Sequence, residues 1–183
     1  MQLAEMQSRH VVLVGAMGSG KTTVGRPVAA MLDRPFLDND QLLEAATGLT
    51  AAALEGRDGI DALHRAEEAV LLEALAAEIP AVIAAAASTI ESAAVRSALR
   101  ERAWVVWLRA DPATLAARLP GSDARPLQRR DPATLVREQS QRRDPMFAEA
   151  ADLIAETSDI APDGVVAKVV VAYQEGCLPQ YDP

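Results

Sequence analysis

The stretch Gly15-Ala-Met-Gly-Ser-Gly-Lys-Thr22 narrows the possible folds more than any other feature of the chain. It matches a pattern of glycine, four free positions, then Gly-Lys and a hydroxyl residue. Glycines let the main chain wrap closely around an anion, through conformations that side chains obstruct. The helix that follows would point its free N–H groups and the positive end of its dipole at the same spot. Such a loop needs a strand before it and a helix after it. The apolar run His10–Val14 and the helical pattern beyond Thr22 supply both.

The rest of the chain repeats that alternation. Phe36–Asp38, Ala81–Ala85, Trp104–Leu108 and Asp152–Ala155 read as four further strands, nearly all apolar. Between them lie helical patterns, such as Ala62, Leu63, Ala66, Val70, Ala74 and Leu75. Strands alternating with helices predict βαβ units and a mostly parallel sheet covered on both faces. Pro27 lies inside the first predicted helix and is expected to kink it near Arg26 or distort its exposed side. Asp111-Pro-Ala-Thr-Leu115 and Asp131-Pro-Ala-Thr-Leu135 are two helix starts, Asp capping and Pro opening each, and no internal repeat. Between them Leu119–Pro126 is a break rich in turn formers.

At 183 residues the chain suits a single domain. With 26 acidic against 18 basic residues its net charge is −8, which disfavours nonspecific binding to nucleic acid. Aromatics at 3% leave no stacking platform for single strands. A lone Cys177 excludes a disulfide framework, and no Cys/His cluster has zinc-ligand spacing. The start, Met1–Arg9, has neither the basic nor the apolar part of a secretory signal. The longest mostly apolar run, Ile79–Ile90, is about half of what a bilayer needs. A soluble, cytoplasmic protein with neither nucleic-acid nor membrane partners is the expectation. The arginine-rich stretch Arg125–Arg143 reads either as a solvated helix face or as a phosphate-handling lid.

Chemistry gathers around the loop. Lys21 can reach the β- and γ-phosphates of a nucleotide, and the Thr22 hydroxyl can sit on Mg²⁺. Asp38 and Asp40 follow the second strand, where ligands of a parallel sheet bind. If that strand lies next but one to the first, Asp38 approaches the metal through water and Asp40 faces an acceptor hydroxyl.

The loop at Gly15–Thr22, Phe36-Leu-Asp-Asn-Asp40, Glu44, Thr47-Gly48, Glu67, Arg125-Pro126 and Arg143-Asp-Pro145 together resemble the shikimate kinases, from about Val11 to Val170. The resemblance implies a P-loop NTPase fold with a five-stranded parallel sheet in the order 2-3-1-4-5. It also implies a small substrate lobe, about residues 39–70, and a mobile lid, about 119–128. Its implied activity is ATP- and Mg²⁺-dependent phosphoryl transfer to a small hydroxylated metabolite. Carried over, Gly15, Gly18, Ser19, Gly20, Lys21, Thr22 and Thr23 would bind nucleotide, with Arg118 and Pro162 flanking the adenine. Thr22 and Asp38 would hold Mg²⁺, Asp40 would deprotonate the acceptor, and Arg125 would close onto the phosphates. Arg143 would grip the acceptor's carboxylate.

The same resemblance exposes departures. Shikimate kinases use a second arginine where this chain has His64, and three glycines where it has Ala86-Ala87-Ser88. A guanidinium fork becomes an imidazole without permanent charge, and methyl groups, that of Ala87 among them, replace bare backbone. These changes predict an altered acceptor site with His64 and Ala87 in it. Shikimate kinase proper and a non-catalytic nucleotide-binding descendant are the alternatives. A nucleoside-monophosphate kinase would need arginines in Asn39–Glu55, and there are none. His10 is expected at an edge or the surface, Trp104 and Trp107 on opposite sheet faces, and Cys177 inert. The helix at Glu67–Glu78 is expected to be core and solvated charge only.

Overall fold

The computed structural model of the chain describes residues 7–119 and 131–176. The expected lid at 119–128, with Arg125, lies outside them except for Leu119, and so does Cys177. Five strands form one sheet: β1 (His10–Val14), β2 (Phe36–Asp38), β3 (Val82–Ala84), β4 (Ala103–Arg109) and β5 (Leu153–Glu156). Their order is β2-β3-β1-β4-β5 and every pairing is parallel. The strands expected from apolar runs are all present, with ends shifted by no more than about one residue.

The helices are α1 (Lys21–Met31), α2 (Asn39–Thr47), α3 (Ala51–Asp58), α4 (Ile60–Ala76), α5 (Ala93–Arg102), α6 (Pro112–Arg118), α7 (Pro132–Ala150) and α8 (Pro162–Gly176). One sheet face packs on α1 and α8, through Val24, Val28, Val165 and Val169. The other packs on α4, α5 and α7, through Leu71, Leu75, Leu99 and Phe147. Alternation along β1 sends Val11 and Leu13 to the first core and Val12 and Val14 to the second. Trp104 and Trp107 divide in the same way, against Tyr173 and Phe147 respectively. A separate small cluster of Leu43, Leu54, Leu63 and Val70 joins α2, α3 and α4 beside the sheet. No helix among the described residues is long and apolar enough to cross a membrane.

Pro27 and Pro145 both sit inside helices, on exposed turns of α1 and α7. Each removes one helical hydrogen bond, and the carbonyl it orphans lies on the solvent side, where water can satisfy it.

His10 corrects an expectation. It is buried, not at an edge or the surface, because β1 is the central strand. Its Nδ1 accepts from the Ala81 backbone N–H at 3.1 Å, and its Nε2 lies 3.2 Å from the Ala77 carbonyl. The fold therefore holds a neutral imidazole. Burial pushes its pKa below 6.5, opposed by the Ala77 hydrogen bond and aided by the charge of Arg34.

Two predictions follow from this packing. Below pH 6.5 the unfolded chain takes up the His10 proton before the folded one does, so stability should drop as pH falls through that value. Urea unfolding between about pH 7.5 and about pH 5.5 should show this loss, and His10→Asn should flatten it. Gly25 lies inside α1, where a Cβ would meet the Phe36 ring at 2.5 Å and Leu13 Cδ1 at 3.0 Å. Gly25→Ala should therefore destabilise by about 1–3 kcal/mol despite its better helix propensity, read from the urea midpoint.

Candidate active site

The loop between β1 and α1 folds as its glycines require. Gly15 has φ +143, and a Cβ there would lie 2.6 Å from the Leu108 carbonyl oxygen of β4. Gly20, with φ +94, is the N-cap of α1 and has no side-chain cap. The first turn of α1 contains no acidic residue either. Uncapped N–H groups at a helix start, free of negative neighbours, suit an anion. The Ser19 hydroxyl is buried and finds no hydrogen-bond partner among the described residues. The residues present therefore fit a polyphosphate.

Lys21 Nζ folds back over the loop and donates to the carbonyls of Gly15 and Ala16, each at 2.9 Å. Burial pushes its ammonium down to about 8, although the charges of Asp40 and Asp38 pull the other way. A cation so desolvated is short of counter-charge. Thr22 Oγ1 donates to Asp38 Oδ2 at 2.8 Å, while Asp38 Oδ1 accepts from the Asp40 backbone N–H at 3.1 Å. The hydroxyl–carboxylate pair is a hard-oxygen donor set that fits Mg²⁺, an ion that takes its remaining ligands from phosphate and water. The pair forms because β3 separates β2 from β1, so that Asp38 ends its strand across from α1.

Lys21, Thr22, Thr23, Asp38, Asp40 and Glu67 line one cavity of about 290 Å³, with Gly18, Gly20 and Ala84 to Ala87 on its walls. Met17, Glu67 and Ala87 also line a second cavity, of about 430 Å³, which holds His64, Ser88, Glu91, Arg142 and Arg143. A third cavity lies beside the loop, bounded by Gly18, Ser19, Gly20, Thr23, Arg118 and Pro162. Arg118 is held there by the Thr157 carbonyl at 2.6 Å.

The structure thus gathers every described candidate around one C-terminal edge of the sheet. Gly18, Gly20, Lys21, Thr22, Thr23, Asp38 and Asp40 line the first cavity, His64, Ala87 and Arg143 the second, and Ser19, Arg118 and Pro162 the third. Arg65, next to His64 in the chain, is exposed and lines neither cavity.

Three residues exceed the sequence expectation. Glu67, expected to be only core or solvated charge, is buried at the junction of both cavities and accepts a short hydrogen bond from Ser88 Oγ. Glu91 and Arg142 were given no role by the sequence. Glu91 Oε1 accepts from Arg143 Nε at 2.5 Å and from an Arg142 Nη at 2.8 Å. The available signal was the proximity of Arg142 to Arg143 in the chain and of Glu91 to Ser88.

Known proteins are similar to this chain in sequence and fold. A family profile described as "Shikimate kinase" matches residues 17–174. The shikimate kinase of Symbiobacterium thermophilum is 39% identical over 169 residues, covering 91% of this chain and 97% of that protein. That of Burkholderia thailandensis is 38% identical over 174 residues, covering 91% and 92%. Among solved structures, shikimate kinase from Acinetobacter baumannii in complex with shikimate superimposes with a TM-score of 0.87 at 32% identity. That match covers 94% of this chain and 97% of the other.

The geometry of Lys21 yields a direct expectation. Lys21→Ala should weaken binding of a Mg²⁺–nucleoside triphosphate about tenfold or more in titration calorimetry. Its urea midpoint should not fall, because the substitution removes a cation whose burial is unfavourable.

Proposed function

The chain belongs to the shikimate kinase family, and on that premise we propose how its own residues move a phosphoryl group and to what acceptor. It is a small-molecule kinase with a hydroxyl acceptor, ATP as donor and Mg²⁺ as cofactor. One observation carries the reading. The cavity of Lys21, Thr22, Asp38 and Asp40 adjoins the cavity of His64 and Arg143, and the two share Met17, Glu67 and Ala87 as walls.

In this reading the polyphosphate lies on the backbone of Gly15, Gly18, Ser19 and Gly20, and the base lies beyond Thr23 between Arg118 and Pro162. Lys21 stabilises charge on the γ-phosphoryl oxygens. Thr22 and Asp38 would hold Mg²⁺, whose charge would offset that on the phosphates. Asp40 takes the proton of the acceptor hydroxyl. The acceptor oxygen bonds to the γ-phosphorus as the bond to the β–γ bridging oxygen breaks, and ADP leaves with that electron pair. Arg125, assigned by the family resemblance, adds positive charge as the transfer proceeds. Residues 39–70, built on the small cluster of α2 to α4, serve as the substrate lobe.

The acceptor is a small polyhydroxylated metabolite lying between Asp40 and Arg143. The curated relatives and the Acinetobacter complex make shikimate the reference acceptor, and shikimate kinase proper fits the family membership. A second reading, a pocket shifted toward a less anionic alcohol, is favoured by one specific observation. The cation expected to grip a carboxylate, Arg143, already holds Glu91, and no arginine stands at His64.

An ADP-release assay over a panel of alcohols with a no-acceptor control tests both readings. Acceptor-dependent turnover is expected, falling about 100-fold or more in Asp40→Asn. On the second reading, shikimate kcat/KM lies below the roughly 10⁴ M⁻¹s⁻¹ floor of well-matched enzymes. Efficient shikimate turnover by the unmodified protein selects shikimate kinase proper. Nucleotide binding with no acceptor-dependent turnover sinks the phosphotransfer reading and leaves a nucleotide-binding protein.

A further inference from the structure

We propose that Glu91 sets the specificity of the acceptor cavity: it occupies Arg143 as an internal counter-ion, so that uncharged alcohols are taken in preference to carboxylate-bearing ones. The inference rests on the reading that the acceptor enters the cavity containing His64 and Arg143.

Glu91 closes the short 3₁₀ turn Thr89–Glu91 that follows β3. That turn is pinned from behind: Arg96 donates to the Ile90 and Glu91 carbonyls at 2.7 and 3.0 Å. With its backbone held, the Glu91 side chain reaches α7 and meets both Arg143 and Arg142 through Oε1. The two arginines differ in burial. The Arg143 side chain is 7% exposed and that of Arg142 is 56% exposed. A guanidinium as buried as Arg143 requires a partner, and Glu91 supplies it from within the chain.

The consequence for a ligand is competition. A carboxylate arriving at Arg143 must either displace Glu91 from its Nε, leaving that carboxylate only the exposed Arg142, or settle beside it against charge repulsion. The cavity as a whole adds to the penalty, because three carboxyl groups, of Asp61, Glu67 and Glu91, face two guanidiniums. An uncharged alcohol pays neither cost and still finds hydrogen-bond partners on the same walls. Burial opposes ionisation of Glu91, but the Arg143 hydrogen bond, with the charges of Arg143 and Arg142, holds its carboxyl below the usual range. The counter-ion is therefore present throughout neutral pH.

The test compares shikimate with its methyl ester, which keeps the hydroxyls and loses the charge. Binding of each is measured by calorimetry with Mg²⁺ and ADP present, on wild type and Glu91→Gln. Wild type is expected to bind the ester at least as tightly as the acid. Glu91→Gln should raise affinity for shikimate about tenfold or more and change the ester by less than about twofold. Tighter binding of the acid than the ester by wild type overturns the proposal, whether or not the variant folds. So does a folded Glu91→Gln whose affinity for shikimate is unchanged, lower or unmeasurable. Turnover of the same two ligands with ATP in place of ADP separates the two claims. If neither ligand is phosphorylated but the binding pattern holds, the phosphotransfer reading fails and the assignment of Glu91 stands.

Discussion

The site depends on one desolvated cation held at the end of a buried strand. Half-buried Lys21 lies against the carbonyls of Gly15 and Ala16, and burial lowers its preference for a proton. That arrangement is possible only because β1 is buried along its whole length and ends at a fixed point. The glycine at that point is forced as well, since any Cβ on Gly15 would strike the Leu108 carbonyl of the neighbouring strand. Sheet, loop and cation thus form a single constraint. The loop is shaped by β4 and the helix start, the cation is shaped by the loop, and both are poised for negative charge.

Sheet order then distributes the chemistry. With β3 between β1 and β2, Asp38 and Asp40 arrive on one side of the loop, and Thr22 can bond Asp38 directly. With β4 on the other side, Arg118 and the start of α8 bound the third cavity. The segment after β3, Ala85 to Glu91, carries Ala87, Ser88 and Glu91 to the wall of the second cavity. Each half of the site is therefore built by a different set of crossovers.

Much of this was readable from the chain, for identifiable reasons. The five strands announced themselves because a central parallel sheet makes them nearly all apolar, and Trp104 and Trp107 were assigned to opposite faces by strand periodicity alone. The phosphate loop was readable because its glycines answer to local backbone geometry. What the chain hid were polar groups whose partners lie far away in sequence. His10 looks like a surface residue until Ala81 and Ala77 are brought to it, and Glu91 looks like an ordinary acid until α7 delivers Arg143. Glu67 was similarly masked by the apolar pattern of α4, in which it takes a buried position and finds Ser88. Burial of a charge is decided by long-range satisfaction, which no local pattern carries.

The two halves of the site consequently differ in how freely they can vary. The loop from Gly15 to Thr22 is set mainly by backbone, and Gly15 answers to the sheet's own packing. A change at Gly15 would disturb β4 before it disturbed any ligand. The second cavity is set by side chains on a short turn and on two helices, α4 and α7, which bond to one another. Glu91 against Arg143 and Ser88 against Glu67 satisfy the pocket from within. A pocket satisfied in this way can exchange one internal partner for a ligand group without unfolding the sheet behind it. The loop and sheet can therefore stay constant while the charge of the cavity beyond Met17, Glu67 and Ala87 is reset by single residues.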